Sequence, residues 1–219
     1  MKRLTAVLAG ATGLVGGECL KQLLAREEYS RVTVVTRRDL GAAARHPKLR
    51  QVVTDLANLG KVRDELRADH VFCALGTTIR KAGSQDKFRQ VDQVIPLQLA
   101  QLTLAQGARH FSIVSALGAD AKSRVFYSRV KGEVEQALRA MAWPSLGIVR
   151  PSVIAGDRAE SRPMERLAEQ VLRFAPATWK PVPAPEIAAA MIRTALRSPP
   201  GVTTIESRDI PKAARSSAA

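Results

Sequence analysis

A tyrosine and a lysine four positions apart, Tyr127 and Lys131, form the pair in this sequence best suited to proton transfer. Residues at i and i+4 of a helix share a face, and the pattern over residues 127–140 is helical. Free tyrosine has a pKa of about 10, and a neighbouring ammonium favours the phenolate by about 1.4 kcal/mol for each unit that this pKa falls. Ser115 precedes Tyr127 by twelve residues and is suited to hydrogen-bond a substrate carbonyl. We predict that Ser115, Tyr127 and Lys131 are catalytic; the alternative is a surface pair whose ring shields the lysine stem.

A glycine-rich turn lies between the first predicted strand, residues 4–9, and the first predicted helix, residues 14–25. The turn reads Gly10-Ala11-Thr12-Gly13-Leu14-Val15-Gly16. It has one residue more before its second glycine than the Gly-x-Gly-x-x-Gly fingerprint of dinucleotide-binding folds. Glycine permits positive φ and close approach of phosphates, and a helix N-terminus carries roughly half a positive charge. We predict that Gly10, Thr12, Gly13, Leu14, Val15 and Gly16 bind a dinucleotide; the alternative is a tight turn without a ligand.

The identity of the dinucleotide is indicated at the end of the second predicted strand, residues 31–36. Proteins that prefer NAD usually carry a carboxylate here for the ribose 2′-hydroxyl. This chain instead has Arg37 and Arg38, with no carboxylate before Asp39. Guanidinium groups suit a 2′-phosphate, so we predict NADP(H) rather than NAD(H). An ordinary solvated turn remains the alternative for both arginines.

Two further turns could contact the same dinucleotide. Asp55 and Leu56 follow the third predicted strand, where a carboxylate could accept from the adenine amino group; Asp55 could equally cap the next helix. Leu75, Gly76 and Thr77 follow the fourth predicted strand, where a glycine lets the backbone lie against the ribose. A plain loop is the alternative at this second turn.

Strand and helix patterns alternate along most of the chain. Predicted strands cover residues 4–9, 31–36, 50–53, 70–74, 111–114 and 146–149, and a possible seventh covers 201–206. Long helices are predicted over residues 87–106 and 127–140. The alternation predicts an α/β fold, a Rossmann-type doubly wound parallel sheet of six to seven strands, with ligands at the carboxyl ends of the strands.

The chain length of 219 residues is typical of one domain, and we predict a single NAD(P)-binding domain over residues 1–211. Residues 151–200 are expected to form a short carboxyl-terminal lid on the substrate side, with a helix at 164–174 and a proline-rich stretch at 176–185. Residues 212–219 are small and polar, and we expect them to be disordered.

Composition excludes several other classes of protein. The balance of 34 Lys plus Arg against 20 Asp plus Glu gives a net charge of +14, but without a long basic run it does not indicate nucleic-acid binding. The two cysteines and three histidines have no disulfide or metal spacing. The start of the chain is too short in apolar residues for a signal peptide or a spanning helix. We therefore expect a cytoplasmic protein without metal, nucleic acid or membrane as partner.

These motifs together resemble the short-chain dehydrogenase/reductase superfamily, in its atypical branch with Tat-interacting-protein-like and epimerase-like oxidoreductases. The resemblance rests on the glycine turn, Asp55-Leu56, Ser115-Ala116-Leu117-Gly118-Ala119, Tyr127-Ser128-Arg129-Val130-Lys131-Gly132-Glu133 and Arg150-Pro151. It implies NADP(H) as coenzyme, Tyr127 as the acid–base and Ser115 as the substrate positioner. It further implies that Lys131 binds the nicotinamide ribose and lowers the pKa of Tyr127.

The resemblance also places Arg150 and Pro151 beside the coenzyme, at the start of the substrate-side segment. Two features depart from the superfamily. Val91-Asp92-Gln93 stands where many members have an asparagine, which argues against a proton relay there, and the short chain after Pro151 argues against a large nucleotide sugar.

Two functions fit these motifs. The first is an NADPH-dependent oxidoreductase that reduces a carbonyl or quinone group of a small substrate, acting as a monomer or homodimer. The second is a non-catalytic NADPH-binding protein that regulates a protein partner. Retention of Ser115, Tyr127 and Lys131 favours the enzyme, because a pure sensor needs the glycine turn but no proton donor.

Overall fold

Parallel strands form the central sheet of this chain, which a computed structural model describes over residues 3–41, 45–155 and 180–215. They are β1 (Leu4–Ala9), β2 (Tyr29–Thr36), β3 (Leu49–Val53), β4 (His70–Cys73), β5 (His110–Val114), β6 (Ser145–Arg150) and β9 (Gly201–Glu206). The described part of the chain orders them β3-β2-β1-β4-β5-β6-β9 in one seven-stranded sheet. Helices cover both faces, so the inner strands read as unbroken apolar runs. The predicted doubly wound parallel sheet is confirmed, and its seventh strand is β9.

The helices lie between successive strands, except the last one, which follows β9. They are α1 (Leu14–Ala25), α2 (Ile79–Ala82), α3 (Gln85–Arg89), α4 (Ile95–Ala105), α5 (Phe126–Ala140), α6 (Ala184–Arg197) and α7 (Ile210–Arg215), with a 3₁₀-helical segment at Leu56–Leu66. The helix predicted over residues 87–106 is interrupted by a π-helical turn at Gln90–Val94. Pro96, near the start of α4, has no N–H to give to the carbonyl four residues earlier, and this loosens the helix at that point.

Two apolar cores cover the two faces of the sheet. On one face α1 and α6 pack over β1, β2 and β4, with Leu23, Phe72 and Met191 among the fully buried side chains. On the other face the 3₁₀ segment, α4 and α5 pack over β4, β5 and β6, where Leu99 and Phe111 are fully buried. Burial of such side chains contributes about 1.5–3 kcal/mol each, and this fixes the sheet that carries the functional loops.

The carboxyl-terminal part differs from the sequence prediction in two places. A small parallel pair, β7 (Ile154–Ala155) and β8 (Val182–Pro183), was not predicted. The disordered tail predicted from residue 212 is wrong for residues 212–215, because α7 continues to Arg215 and buries Ile210 and Ala214. The helix predicted at 164–174, like most of the predicted lid, lies outside the described residues. Within the described ranges, no helix has the length and apolar character needed to cross a membrane.

A chain of buried polar side chains crosses the sheet near the amino ends of its strands. The Tyr29 hydroxyl lies 2.8 Å from His70 Nδ1, the His70 and His110 rings meet edge to face at 5.8 Å, and His110 Nδ1 lies 2.8 Å from Ser145 Oγ. Burial disfavours the imidazolium and lowers the pKa of His70 to about 4 and that of His110 to about 3. Both rings are therefore neutral in the folded protein.

This burial predicts a loss of stability in mild acid. Above pH 6.5 both histidines are neutral in the folded and the unfolded chain, so they add no pH dependence. Below pH 6.5 the unfolded chain takes up protons that folded His70 refuses until about pH 4. The free energy of unfolding should therefore fall between pH 6.5 and 4, by roughly 3 kcal/mol for His70 alone.

Urea unfolding at several pH values between 7.5 and 5 measures this effect. His70→Asn should make the dependence shallower and leave the part due to His110, whereas His46→Gln, at an exposed histidine, should leave it unchanged. A wild-type free energy of unfolding that stays constant from pH 7 to 5 would contradict the prediction.

Candidate functional site

A cleft with a volume of about 740 Å³ opens at the carboxyl ends of β1, β4, β5 and β6. It lies where the strand order reverses, since the chain runs from β1 toward β3 on one side and from β4 toward β9 on the other. Its lining comprises Thr12, Gly13, Leu14, Val15, Ala74, Leu75, Gly76, Thr77, Thr78, Lys81, Asp92, Val114, Ser115, Tyr127, Lys131, Ser152, Val153 and Ile154. Ligands of doubly wound sheets bind at this kind of switch point. Residues 12–15 of the glycine turn and the three predicted catalytic residues thus share one cavity, whereas Gly10 and Gly16 are not among its lining residues.

The first and third glycines of the turn are required by packing. Gly10 has φ +94°, and a Cβ there would lie 2.5 Å from the carbonyl oxygen of Ala74. A Cβ on Gly16 would lie 1.9 Å from the carbonyl oxygen of Gly10. Both distances are far below van der Waals contact. These two glycines bring β1, α1 and the loop after β4 together whether or not a ligand is present.

Gly13 differs from its two neighbours in this respect. It lines the cleft and forms the N-cap of α1 without a side-chain hydrogen bond. A Cβ there would meet only the Gly10 carbonyl oxygen, at 3.4 Å. The first N–H groups of a helix have no partner within the helix, and no side chain in the described part of this chain caps those of α1. The open N-terminus of this 12-residue helix therefore fits an anionic pyrophosphate.

The turns after β2 and β3 lie outside the cleft lining. Arg37 and Arg38 are exposed directly after β2, the strand next to β1. Asp55 caps the 3₁₀ segment: its carboxylate accepts from the Ala57 N–H at 3.1 Å and from Asn58 Nδ2 at 3.2 Å. Leu56 is buried beneath it. Asp55 therefore acts as a helix cap, which was the alternative to an adenine contact. The turn of Leu75, Gly76 and Thr77, in contrast, does line the cleft.

Lys131 is buried and pairs with Asp92. Its Nζ lies 2.8 Å from Asp92 Oδ1, and Asp92 Oδ2 accepts from the Thr77 N–H at 2.9 Å. Burial is the largest single influence and opposes the ammonium, but the charge and hydrogen bond of Asp92, together with Tyr127 and Cys73, outweigh it and raise the pKa of Lys131. The residue at the place of the superfamily asparagine is therefore a direct ion-pair partner of the lysine. The sequence showed Asp92 as a departure but not this contact.

Tyr127 stands in the first turn of α5 with 36% of its surface exposed. Its ring lies 5.7 Å from the fully buried ring of Phe88, which also packs against Phe126 at 5.6 Å. Arg89 adds a cation–π contact to Phe126 and an ion pair to Glu133. These contacts hold the start of α5, so the phenol lies at the cleft on the same helix as Lys131.

Ser115 has a partner that the sequence analysis missed. Its hydroxyl donates to Glu135 Oε1 at 2.5 Å, and Glu135 is buried. Arg150 donates to both oxygens of Glu135, at 2.9 and 2.6 Å, and to Glu206 at 2.9 Å. These hydrogen bonds raise the pKa of Arg150. The signal for Glu135 was a charged residue four positions after Lys131, on the same helix face.

The position of Arg150 corrects one predicted coenzyme contact. Its guanidinium is engaged by two carboxylates and by the Ala119 carbonyl oxygen, and neither Arg150 nor the buried Pro151 lines the cleft. The cleft wall after β6 is instead formed by Ser152, Val153 and Ile154, which the sequence analysis did not select. Arg150 therefore organises the wall behind Ser115.

The class of protein follows from fold and site together: a Rossmann-type protein with a nucleotide cleft. The profile of the NAD(P)H-binding family matches residues 10–170, and the chain belongs to this family. It is 37% identical to the protein HTATIP2 of Rattus norvegicus over 181 residues, 82% of this chain and 74% of the relative. It is 34% identical to the mitochondrial protein fmp52 of Emericella nidulans over 166 residues, 74% of this chain and 71% of the relative.

Solved structures share this architecture. An oxidoreductase of the short-chain dehydrogenase/reductase family from Burkholderia thailandensis superposes with a TM-score of 0.76 at 18% identity, over 94% of this chain and 92% of that one. MoeE5, solved in complex with UDP-glucose and NAD, superposes with a TM-score of 0.72 at 18% sequence identity, over 92% of this chain and 76% of that one. At this identity the likeness concerns the fold. The resemblance to NAD(P)-binding proteins of the HTATIP2 type is confirmed by the family profile and the sequence relatives, and these structures show that the fold is shared with dehydrogenase/reductase and epimerase proteins.

One prediction is corrected by these relatives. The chain was expected to be cytoplasmic, but the Fmp52 proteins of Emericella nidulans and Candida glabrata are named as mitochondrial. The expectation rested on two cysteines, Cys19 and Cys73, which are free and buried. Free thiols indicate only that the fold needs no disulfide, so they do not distinguish one reducing compartment from another.

The difference among the glycines predicts separable effects of two substitutions. Gly13→Asp places a good N-cap on α1, so the melting temperature should stay the same or rise. The added carboxylate should repel a pyrophosphate and lower dinucleotide affinity at least about 100-fold. Gly16→Ala should instead lower the melting temperature, because its Cβ collides with the Gly10 carbonyl.

Thermal unfolding and fluorescence titration with NADPH and NADH check both variants. Equal dinucleotide affinity in Gly13→Asp and wild type would contradict the assignment of this turn.

Proposed function

We propose that the protein reduces a carbonyl or quinone group of a small substrate with NADPH, and that Tyr127 is the proton donor. The observation that carries this proposal is that Ser115, Tyr127 and Lys131 line the same cleft as the open N-terminus of α1. Membership of the NAD(P)H-binding family supports the dinucleotide half of the proposal. The volume of about 740 Å³ suits a dinucleotide end and a small substrate.

The side chains of the cleft have complementary roles in the proposed reaction. NADPH, when bound, supplies the hydride that the carbonyl carbon accepts. Tyr127 gives its phenolic proton to the carbonyl oxygen, and the product is an alcohol. Lys131 holds a positive charge near the phenolate that remains, and Asp92 keeps that ammonium charged and fixed in place. Gly13 and the first N–H groups of α1 hold the pyrophosphate.

The preference for NADPH rests on Arg37 and Arg38. Both follow β2, the strand next to the glycine turn, and both are exposed. Proteins of this fold hold the adenosine ribose at the end of this strand. Two guanidinium groups there, with Asp39 the first carboxylate, favour a ribose that carries a 2′-phosphate.

Loss of the phenol should separate catalysis from binding. Tyr127→Phe keeps the ring that packs on Phe88 and removes only the hydroxyl. We expect kcat for NADPH oxidation to fall by about 10²- to 10⁴-fold, because the general acid is lost, and the dissociation constant of NADPH to stay within roughly twofold.

A panel of ketones, aldehydes and quinones, with NADPH followed by absorbance, measures this effect. A Tyr127→Phe variant as active as wild type would refute the role of the phenol. A wild-type protein that binds NADPH tightly yet reduces no member of the panel would support the regulatory alternative.

Removal of the two guanidinium groups should abolish coenzyme preference. Wild type should bind NADPH at least about tenfold more tightly than NADH, since hydrogen bonds to charged groups contribute about 1.5–3 kcal/mol. Arg37→Ala combined with Arg38→Ala should weaken NADPH binding by a similar factor and leave NADH binding unchanged.

Arg63→Ala is the matched control, because it removes an exposed guanidinium whose one ion pair within the described residues is with the adjacent Asp64. Isothermal calorimetry with both dinucleotides provides the measurement. Equal affinities of the wild-type protein for NADPH and NADH would contradict the assignment of Arg37 and Arg38 to the 2′-phosphate.

A further inference from the structure

The hydroxyl of Ser115 is held by a buried carboxylate rather than left free for the cleft. Ser115 Oγ lies 2.5 Å from Glu135 Oε1, and the two residues are 6% and 3% exposed. Ser115 also lines the cleft. One side of its oxygen therefore faces Glu135, and the residue borders the cavity in which the proposed reduction takes place.

The direction of this hydrogen bond is fixed by Arg150. A guanidinium only donates, and Arg150 donates from Nε to Oε1 and from Nη2 to Oε2 of Glu135. Both oxygens of Glu135 thus act as acceptors, as a carboxylate does. Ser115 must then be the donor in its bond to Glu135, and its single hydrogen is used there. Toward the cleft Ser115 has only lone pairs to offer.

We propose that Ser115 is a specificity-determining acceptor, which selects substrates that carry a hydroxyl beside the reacting carbonyl. A carbonyl oxygen also only accepts, so Ser115 and a simple ketone have no hydrogen to share. A 2-hydroxy ketone supplies that hydrogen and leaves its carbonyl to Tyr127. From sequence, Ser115 is expected to donate to the carbonyl; the contacts around Glu135 reverse the direction of that hydrogen bond. This inference rests on the proposed function and adds a substrate class to it.

Glu135 and Arg150 are positioning residues in this scheme, because they act through Ser115. Arg150 is itself held from outside by Glu206 at 2.9 Å and by the Ala119 carbonyl oxygen at 3.4 Å. Release of the Ser115 hydrogen would break a charge-assisted hydrogen bond in a buried place. That cost corresponds to a preference of about tenfold to a hundredfold for the orientation toward Glu135.

Matched ketones that differ in one hydroxyl test the proposal. Hydroxyacetone is compared with butanone, in which a methyl group replaces the hydroxyl, and benzoin with deoxybenzoin, in which a hydrogen replaces it. The ratio of kcat/KM within each pair is measured with NADPH, and the ratio of dissociation constants is measured by calorimetry on the protein saturated with NADP⁺. Wild type should favour the hydroxy ketone by about tenfold or more in both ratios. Ser115→Ala should bring the ratio of dissociation constants to about one and lower the ratio of kcat/KM by the same factor.

Two carboxylate variants locate the cause of the preference. Glu135→Gln replaces one acceptor oxygen by an amide that can donate to Ser115, so the ratios should fall to within about threefold. Glu206→Gln is the matched control, since it weakens the outer contact of Arg150 and leaves the bond between Ser115 and Glu135 intact. It should keep the wild-type ratios, and circular dichroism monitors the folding of all variants.

The outcomes separate this proposal from the function on which it rests. If Ser115→Ala lowers kcat/KM equally for both members of each pair, Ser115 donates to the reacting carbonyl and the proposal is overturned. Equal binding of both members by wild type also overturns it. If the hydroxy ketones bind preferentially but are not reduced, the acceptor role of Ser115 stands and the proposed reductase activity fails.

Discussion

The ion pair between Lys131 and Asp92 is the contact on which the arrangement of this site depends. It joins α5, the π-helical turn before α4 and the loop after β4, because Asp92 also accepts from the Thr77 N–H. Removal of one member would leave a buried charge without its partner, which typically costs about 3–5 kcal/mol. The pair therefore connects the loop that borders the nucleotide end of the cleft with the helix that carries the phenol.

Much of the fold could be predicted from local patterns. Buried parallel strands appear as β-branched apolar runs, and seven of them were located to within two residues at each end. The glycine turn was found because strand, turn and helix follow one another directly in the sequence. The interruption of the helix before α4 escaped prediction, although Pro96 was its visible sign. Residues 212–215 were misjudged because small polar residues resemble a tail, whereas Ile210 and Ala214 pack inward.

The site was predictable only where its residues are neighbours in sequence. Tyr127 and Lys131 share a helix face by spacing alone, and so does Glu135, four positions further on. The partners of the last two, Asp92 for Lys131 and Ser115 with Arg150 for Glu135, come from other elements. No local pattern states which distant charge will meet a buried one. Arg150 was accordingly assigned to the coenzyme, when its nearest anions are Glu135 and Glu206.

Gly132, which lies between Lys131 and Glu135 in α5, allows this helix to approach a neighbouring loop closely. A Cβ on Gly132 would lie 2.1 Å from the Ala121 nitrogen, so α5 rests directly on the loop that follows β5. That loop supplies the Ala119 carbonyl that Arg150 contacts. Any side chain at residue 132 would push α5 outward and with it Tyr127, Lys131 and Glu135. Close approach at this one point therefore sets the distance from α5 to the loop after β5, and the ion pairs of Lys131 with Asp92 and of Glu135 with Arg150 then fix the rotation of the helix.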